Sequence, residues 1–298
     1  MGNSVLFAAV VNRNSGADLS DCVAQLSRFL PPERIVVVDC GSTDRSLSRL
    51  RKGAATVIEL GENRGYAGGN NAALRYIGKQ GGTVALIVNP DARIDAHNAG
   101  LLVEPLQDHR EIAAAFPLVR DIEHHKRVVP SFGFFNYRHR LVRMATTKEQ
   151  EALRGNAMVD VDFGYGCCFA LRVSAAEKVG LFDETFFAYH DEPDLCYRLR
   201  EAGCRTVLIT GSSAYHREKK EKSSSAAKEY FVCRNSVLFV KKHGSGVKKL
   251  KFHLFLLAGT LFYAILALVG DRAGLYRLRG YFDALRGRAI RKEILEII

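Results

Sequence analysis

The sequence predicts an α/β protein built on a mostly parallel β-sheet with helices on both faces, followed by a helical C-terminal extension. The first observation is a regular alternation of short β-branched segments with helical segments through the first 119 residues. The second is that strands such as Ile35–Asp39 and Thr83–Asn89 are apolar almost to their ends, which is typical of parallel strands buried on both faces. The third is an uncharged run near the C-terminus, residues 252–270, between basic segments.

The elements of the first 119 residues follow one another closely. The predicted strands are Val5–Val11, Ile35–Asp39, Thr56–Leu60, Thr83–Asn89 and Ile112–Val119. The predicted helices between them are Asp18–Leu30, Thr43–Lys52, Gly69–Gly78 and Asp95–His109, with Asp18 and Thr43 as candidate N-caps. Because ligands bind beyond the carboxyl ends of the strands in such sheets, we expect the loops after those ends to carry the chemistry.

The second half of the chain is less regular. Residues 120–156 form a basic, aromatic stretch without a clear period, and a long irregular segment inside a compact domain is usually functional or mobile. The pattern then predicts a strand at Cys167–Arg172, a helix at Ser174–Val179, a helix at Pro193–Ala202 and a strand at Arg205–Thr210.

The net charge of +11 is concentrated at the C-terminal end, where residues 241–298 hold twelve Lys and Arg against four Asp and Glu. Nucleic acid and anionic lipid would both suit such a charge. The basic residues flank the apolar run and do not line an aromatic groove, which favours a membrane surface over nucleic acid. Residues 252–270 are long enough either to cross a membrane or to lie in its interface, and a buried helix is the alternative.

The cysteines and the N-terminal segment indicate the compartment. Seven scattered cysteines without a C-x-x-C pair predict buried, reduced thiols in a cytosolic protein. The first eleven residues lack the basic region and cleavage site of a signal peptide. Together with the basic apolar tail, these features predict association with the cytoplasmic face of the inner membrane.

Two motifs follow the first predicted strands. Asp39 ends a buried strand before a turn at Gly41, where its carboxylate can accept the N3–H of a uracil or thymine ring or simply cap the turn. The segment Glu62–Asn71 is rich in glycine and opens a helix, an arrangement that lets backbone N–H groups approach phosphate. It fits neither the dinucleotide-binding nor the Walker pattern.

Two further residues suit a metal site. Asp91 follows the apolar strand Thr83–Asn89, and a hard cation such as Mg²⁺ or Mn²⁺ can be held by one carboxylate together with diphosphate oxygens. The alternative is an Asx-Pro turn. His216 follows another strand and either completes a metal or diphosphate site or is structural.

The strongest local signal is a group of acids at a helix start, Asp191, Glu192 and Asp194, preceded by aromatic residues. The helix dipole stabilises carboxylates there, and N-capping alone would need a single acid. A general base must be ionised near neutral pH and within reach of the hydroxyl it activates, which these acids can satisfy.

The order of these motifs resembles glycosyltransferase family 2. The family's patterns V-V-D-N-G-S-T-D, N-x-G-x-A-G-G-N-N, D-x-D or N-P-D, and G-G-F-D-E…E-D-x-D-L-x-x-R have counterparts at Val37–Asp44, Asn63–Asn71, Asn89–Asp91 and Val179–Arg198. The resemblance covers about residues 4–243, including Tyr230–Asn235, and is closest to the bacterial rhamnosyltransferase-like branch.

The resemblance implies a GT-A fold and an inverting transfer of sugar from a nucleoside diphosphate donor, such as dTDP-rhamnose or a UDP- or GDP-sugar, to a lipid-linked or surface-glycan acceptor. It divides the chain into a glycosyltransferase domain, 1–243, and a tail, 244–298. Within the domain, about 1–119 form the nucleotide-sugar half and 120–243 the acceptor half. The implied roles are base (Glu192 or Asp191), donor binding (Asn12, Asp39, Asn63, Gly65 and Asn70) and binding of Mg²⁺ or Mn²⁺ (Asp91 and His216).

Three positions depart from the family pattern. Arg13 stands where Tyr is common, Asn89 replaces the first Asp of D-x-D, and the usual Glu-Asp order is reversed at Asp191-Glu192. By position Glu192 matches the family's base, and either acid can act. A catalytically idle scaffold at the membrane is the alternative from another class. A sugar nucleotidyltransferase would need a glycine-rich first loop with a basic residue, which Asn12–Gly16 does not supply.

Overall fold

The computed structural model describes residues 5–125, 127–135, 142–153, 155–217, 226–268 and 272–295. The chain forms two compact units. The first unit comprises Met1–Gly133, Met144–Phe187 and Glu192–Glu218. The second unit comprises Phe134–Arg143, Ala188–Asp191 and Lys219–Ile298.

The first unit is built on a large, mostly parallel sheet, as the sequence predicts. The strands in chain order are β1 Leu6–Asn12, β2 Ile35–Asp39, β3 Thr56–Glu59, β4 Val84–Val88, β5 Ala92–Arg93, β6 Ile112–Asp121, β7 Phe132–Phe135, β8 Val142–Met144, β9 Met158–Asp160, β10 Phe163–Gly164, β11 Cys168–Arg172 and β12 Arg205–His216. In the described part of the chain, nine strands form the large sheet, in the order β3-β2-β1-β4-β11-β6-β12-β5, with β9 pairing along β12.

The strand directions bring several polar residues to one edge of this sheet. Strand β1 runs parallel to β2 and β4, whereas β11 is antiparallel to both β4 and β6, and β12 runs parallel to β6. Strands β1, β2, β4, β6 and β12 therefore all point the same way. Their carboxyl ends lie at the same edge, where Asn12, Asp39, Asp91 and His216 end or follow a strand.

Helices of the first unit cover its sheet because their apolar residues face it. The helices are α1 Asp18–Leu26, α2 Gly65–Lys79, α3 Ala96–Asp108, α4 Thr147–Glu151, α5 Val173–Lys178, α6 Asp191–Glu201, α7 Ala226–His243, α8 Gly246–Leu268, α9 Arg272–Leu285 and α10 Lys292–Leu295. In α1, Leu19, Val23 and Leu26 join the core under the sheet. The N-cap of α3 is Asp95, whose carboxylate accepts the backbone N–H of Asn98 at 2.8 Å.

Two helix predictions need correction. The predicted helix Thr43–Lys52 is wrong, since only a short 3₁₀ turn, Leu47–Arg49, forms there. The carboxylate of Asp44 accepts both the N–H and the hydroxyl of Ser46, a local turn that competes with a helix. Helix α2 begins at Gly65, four residues before the predicted start, so most of the glycine-rich segment lies inside the helix.

The irregular stretch 120–156 contains short elements. Strands β7 and β8 and helix α4 lie within it, and α4 begins with a capping box in which Thr146 and Glu149 bond reciprocally. Residues 126, 136–141 and 154, which include the predicted basic and aromatic residues Tyr137, Arg138 and Arg140, lie outside the described residues. All seven cysteines are described and are free thiols, six of them buried, as predicted.

The second unit is helical. Val237 of α7 packs with Tyr281 and Ala284 of α9. The two helices approach closely at Gly280, where any side chain would overlap the carbonyl oxygen of Tyr230. Helix α8 carries most of the predicted membrane-seeking run 252–270, whose last two residues lie outside the described residues. Among the helices that the structure describes, none combines the length and the apolar character needed to cross a bilayer.

Candidate active site

Asn12 and Asp39 meet at the carboxyl ends of β1 and β2. They are register partners in the parallel pair, and Nδ2 of Asn12 donates to Oδ1 of Asp39 at 2.7 Å. Ser42 adds two bonds, from its hydroxyl to Oδ1 (2.6 Å) and from its backbone N–H to Oδ2 (2.9 Å). Asp39 is only 3% exposed. The carboxylate thus caps the turn, which is one of the two roles predicted for it, and these bonds hold it in one orientation at the sheet edge.

Arg13 and Asn14 tie the loops after β1 and β2 together. One guanidinium nitrogen of Arg13 donates to the carbonyl oxygens of Cys40 and Gly41. Asn14 adopts a left-handed φ of 49°, which Asn tolerates better than most residues. Arg13, which departs from the family's usual Tyr, therefore acts as a brace between the two loops in this structure.

The glycine-rich segment packs tightly. Gly65 has φ of 66°, and a Cβ there would overlap the carbonyl of Phe187. A Cβ on Gly69 would crowd the side chain of Val11. The side-chain oxygen of Asn63 accepts the N–H of Gly65 at 3.1 Å. These glycines let the start of α2 lie close to the sheet and to Phe187.

The paired asparagines of this segment have different surroundings. Asn70 is fully buried and donates to the carbonyl of Tyr66 at 3.1 Å, and its Oδ1 has no hydrogen-bond partner within the described residues. Asn71 exchanges two bonds with the backbone of Phe182, each 2.9 Å long. Asn71 therefore has a structural role, fastening α2 to the loop after α5.

Asp91 and His216 come together from distant parts of the sequence. Strand β5, which starts after Asp91, pairs with the end of β12, so that Ala92 lies opposite His216. Nε2 of His216 lies 3.2 Å from Oδ1 of Asp91, and their side chains are 13% and 27% exposed. Nδ1 of His216 is buried and has no hydrogen-bond partner among the described residues. The two predicted metal ligands are thus adjacent.

The three acids around the start of α6 are not equivalent. Asp194 is fully buried and forms a 2.7 Å ion pair with Arg198, one helical turn later. Asp191 is 1% exposed and is the last residue of its segment in the second unit, whereas Glu192 belongs to the first unit and is partly exposed. Asp194 is therefore committed to holding the helix, and Glu192 is the more accessible of the other two.

Glu192 and the loop that carries Asp91 both lie against the short stretch of backbone Gly166–Cys167. In that loop, the N–H of Asn89 donates to the carbonyl of Cys167 at 2.8 Å. A Cβ on Gly166 would overlap the carboxylate of Glu192, so only glycine leaves it room. Burial raises the pKa of the Cys167 thiol well above its usual value, and the nearby negative charges of Asp91 and Glu192 raise it further. Both carboxylates are close enough to Cys167 for their charges to act on this thiol.

The structure adds residues that the sequence did not single out for the site. The hydroxyl of Tyr66 donates to the carbonyl of Gly166 at 2.7 Å, which links the glycine-rich turn to the backbone beside Glu192. The ring of Tyr165 contacts His216 edge-on, with ring centroids 5.6 Å apart. The only sign of these residues in the sequence is the segment Gly164–Cys167, in which two glycines flank a tyrosine. This pattern does not indicate a site unless the segments that contact it are known.

The sequence matches known proteins over most of its length. The family model described as "Glycosyl transferase family 2" matches residues 8–180. A low-salt glycan biosynthesis hexosyltransferase of Haloferax volcanii is 24% identical over 77% of this chain and 73% of its own length. An N-acetylglucosaminyl-diphospho-decaprenol L-rhamnosyltransferase of Mycobacterium tuberculosis is 26% identical over 71% of this chain and 76% of its own length.

Solved structures share the fold. GalNAc-T7, solved with UDP, GalNAc and Mn²⁺, aligns with a TM-score of 0.59 at 18% identity over 78% of this chain. The alignment spans 51% of that protein, about half its length. A mannosyltransferase of Pyrobaculum calidifontis, solved with GDP-Man and Mn²⁺, aligns with a TM-score of 0.56 at 18% identity, over 95% of this chain and 88% of the other.

The fold and the sequence matches both agree with the resemblance to glycosyltransferase family 2. The mixed sheet flanked by helices is a GT-A fold, as in these two structures. The family model covers more than half of the chain, and the curated relatives are named as hexosyl- and rhamnosyltransferases. The chain is a glycosyltransferase and belongs to glycosyl transferase family 2.

Proposed function

We propose that this enzyme moves a sugar from a nucleoside diphosphate donor to a lipid-linked or surface-polysaccharide acceptor, with inversion at the anomeric carbon. The observation that carries the proposal is a row of contacts at the edge where the parallel strands end. Glu192 lies against Gly166, the neighbouring Tyr165 contacts His216, and His216 lies 3.2 Å from Asp91. The name of the mycobacterial relative, which acts on a decaprenol-linked sugar, supports an acceptor of that class. The donor would be dTDP-rhamnose or a UDP- or GDP-sugar.

The nucleotide half of the donor would bind along β1, β2 and the first turn of α2. Asp39 is fixed by Asn12 and Ser42, so its carboxylate would bind the nucleobase of the donor without changing its orientation. The first turn of α2, with Asn63 and Gly65, would direct backbone N–H groups toward the donor. Asn70 follows in the same helix, and its buried Oδ1, which has no partner among the described residues, would be a further polar contact for the donor.

Asp91 and His216 would hold the divalent cation, Mg²⁺ or Mn²⁺. A carboxylate and an imidazole 3.2 Å apart, one of them with an unpartnered ring nitrogen in the described part of the chain, fit a cation that both could ligate. No group of three His, Cys, Asp or Glu among the described residues could hold a metal ion, so the remaining ligands would be diphosphate and water oxygens. When bound, the cation would offset the charge that develops on the leaving diphosphate.

Glu192 would act as the general base. Its carboxylate takes the proton of the acceptor hydroxyl as that oxygen bonds to the anomeric carbon and the bond from this carbon to the diphosphate oxygen breaks. We prefer Glu192 to Asp191 because Asp191 is almost completely buried, whereas Glu192 is partly exposed beside Gly166. Glu192 lies in the first turn of α6, where the helix dipole favours a carboxylate.

A donor panel would test the activity directly. dTDP-, UDP- and GDP-sugars would be supplied with a polyprenyl-diphosphate-linked sugar and either Mg²⁺ or Mn²⁺, and nucleotide release and product anomeric configuration by NMR would be measured. We expect turnover with one nucleotide class, loss of turnover with EDTA, and an inverted product. Failure of every donor under every metal condition would instead support the idle scaffold.

Gly166→Ala is expected to lower kcat by about 10²-fold, because the new methyl group displaces the Glu192 carboxylate and misplacement of about 1 Å can cost that much. The KM for the donor should change little. Gly100→Ala is the matched control, since nothing lies near its Cβ position and it sits inside helix α3. Equal kcat values for the two variants would argue against Glu192 as the base.

We also propose that α8 binds the cytoplasmic face of the inner membrane. Leu254, Leu261 and Ile265 lie on one face of the helix and are about 60% exposed, at 58%, 59% and 62%. The sequence at the start of the helix holds Lys248, Lys249 and Lys251, a basic composition that suits an anionic lipid surface. An exposed apolar stripe on a helix with a basic start is typical of an interfacial helix.

Leu254→Ser combined with Leu261→Ser is expected to weaken binding to anionic vesicles by about a hundredfold, since each leucine contributes roughly 1.5–3 kcal/mol on burial. Val57→Ser, which replaces an exposed apolar residue of the first unit, should bind like the wild type. Co-sedimentation with and without vesicles would be measured. Lipid binding that survives the double substitution, or self-association without lipid that the substitution abolishes, would contradict a lipid-binding face.

A further inference from the structure

The segment that leads into the two candidate bases has a strained backbone. Tyr189 and His190 are consecutive non-glycine residues with φ of 65° and 66°. Such left-handed conformations cost about 1–3 kcal/mol each and persist only where the surroundings impose them. Within the second unit, this segment, Ala188–Asp191, belongs with the C-terminal helices. The contacts from those helices must therefore hold the strained residues in place.

One side chain of α7 supplies the principal contacts. Asn235 is fully buried, and its Nδ2 donates to the carbonyl oxygens of Ala188 and Tyr189, each at 2.7 Å. Both hydrogens of the amide are thus used on two successive carbonyls of the strained segment. The neighbouring Ser236 adds a contact, since its Oγ lies 3.2 Å from Nε2 of His190.

The amide of Asn235 is itself held by a charged residue. Arg234, which is almost completely buried, donates to Oδ1 of Asn235 at 3.0 Å. This bond fixes the orientation of the amide, since a reversed amide would place its NH₂ group against the guanidinium and its oxygen against two carbonyls. Burial lowers the pKa of Arg234, while a hydrogen bond with Tyr230 acts in the opposite direction.

The hydrogen bonds continue from Arg234 to the last helices of the chain. The hydroxyl of Tyr230 donates to Oδ2 of Asp283 at 3.2 Å, and Asp283 in turn accepts from Arg291 at 2.8 Å. Asp283 is 1% exposed, so its charge depends on these partners. A continuous chain of polar contacts therefore runs from Arg291, before α10, to the carbonyls of Ala188 and Tyr189.

We propose that Asn235, oriented by Arg234, is a positioning residue for the catalytic acids: it clamps the backbone at Ala188–Tyr189 so that Asp191 and Glu192 enter α6 in the reactive orientation. The inference rests on the proposed function, because it assigns Asn235 a role in the use of those acids. The C-terminal helices carry the chain of bonds that fixes this amide. Asn235 itself need touch neither substrate.

The test uses two substitutions and a control in the full-length enzyme. Asn235→Ala deletes the clamp, and Asn235→Asp keeps its volume but removes both donated hydrogens. Val237→Ala leaves the clamp intact and creates a cavity where α7 packs against α9. It therefore controls for effects on kcat that come only from a loss of stability. For each variant, kcat, the donor KM, nucleoside diphosphate affinity by calorimetry and thermal unfolding would be measured.

We expect both Asn235 variants to lose between about tenfold and a hundredfold in kcat while donor KM and nucleotide affinity stay within about twofold of wild type. Val237→Ala should lower the unfolding temperature without this loss in kcat. If the Asn235 variants lose no more kcat than Val237→Ala, or lose nucleotide affinity in parallel, the positioning role is wrong. Glu192→Gln and Asp191→Asn, measured beside them, report on the proposed function separately, since full turnover in both would refute the assigned bases.

Discussion

Replacing Glu192 by Gln is expected to lower kcat by about 10²–10⁴-fold, the contribution of a positioned general base. Gln retains the size of the side chain beside Gly166 but cannot accept the proton of the acceptor hydroxyl. Since Glu192 is not among the residues assigned to the nucleotide, the affinity for the nucleoside diphosphate should stay near wild type. Initial rates of sugar transfer at saturating donor would give kcat, and calorimetry would give the nucleotide affinity.

Two further variants decide what such a loss means. Glu201→Gln makes the same chemical change in the same helix, at an exposed position, and should leave kcat unchanged. Asp191→Asn removes the neighbouring carboxylate, which is 1% exposed, and should act mainly on stability. If Asp191→Asn abolishes turnover and Glu192→Gln does not, the base is Asp191. If both keep near-wild-type turnover, neither acid is the base and the mechanism is wrong.

The parallel sheet could be predicted because its signals are local. Strands such as Ile35–Asp39 and Val84–Val88 are buried along their whole length, and only a sheet covered on both faces has room for such segments. The region after β2 could not be predicted in the same way. The segment Thr43–Lys52 has the composition of a helix, but Asp44 bonds both to Ser46 and to the backbone N–H of Gly16 in the loop after β1. Bonds to a neighbouring loop thus hold a turn where composition favours a helix.

The site was predictable as a set of residues but not as a geometry. Asp91 and His216 are recognisable individually as residues that follow strands, but their adjacency depends on β5 pairing with the end of β12. Among the three acids, sequence cannot show that Asp194 is committed to Arg198. The role of Gly166 is set by the absence of a side chain next to Glu192, which only the folded chain reveals.

For the C-terminal tail, too, the sequence predicted the character of the residues but not their contacts. The sequence identified its basic and apolar character, and α8 exposes an apolar stripe as an interfacial helix would. It did not indicate that α7 and α9 pack together or that Asn235, held by Arg234, reaches the segment before the acids. Deleting residues 248–298 would therefore remove α9 from its contact with α7 as well as the stripe of α8. Substitutions on the exposed face of α8 are the cleaner test of lipid binding.

Asp91→Asn is expected to lower kcat/KM for the donor by about 10²–10³-fold, which corresponds to roughly 3–4 kcal/mol at about 1.4 kcal/mol for each factor of ten. The neutral amide keeps an oxygen ligand but removes the negative charge that attracts the cation. The Mn²⁺ concentration for half-maximal rate should rise, and Mn²⁺ binding in the presence of nucleoside diphosphate, followed by electron paramagnetic resonance, should weaken in parallel. Asp95→Asn is the control, because Asn also caps α3 well.

Combining Asp91→Asn with His216→Gln separates a shared cation from a merely structural pair. If both side chains ligate one ion, each single substitution already removes most of its binding, and the double variant should lose far less than the product of the single losses. The Mn²⁺ signal would then be weak in all three variants. A contact that only fixes the end of β12 predicts a different pattern: Mn²⁺ binding near wild type, with the losses appearing in thermal unfolding.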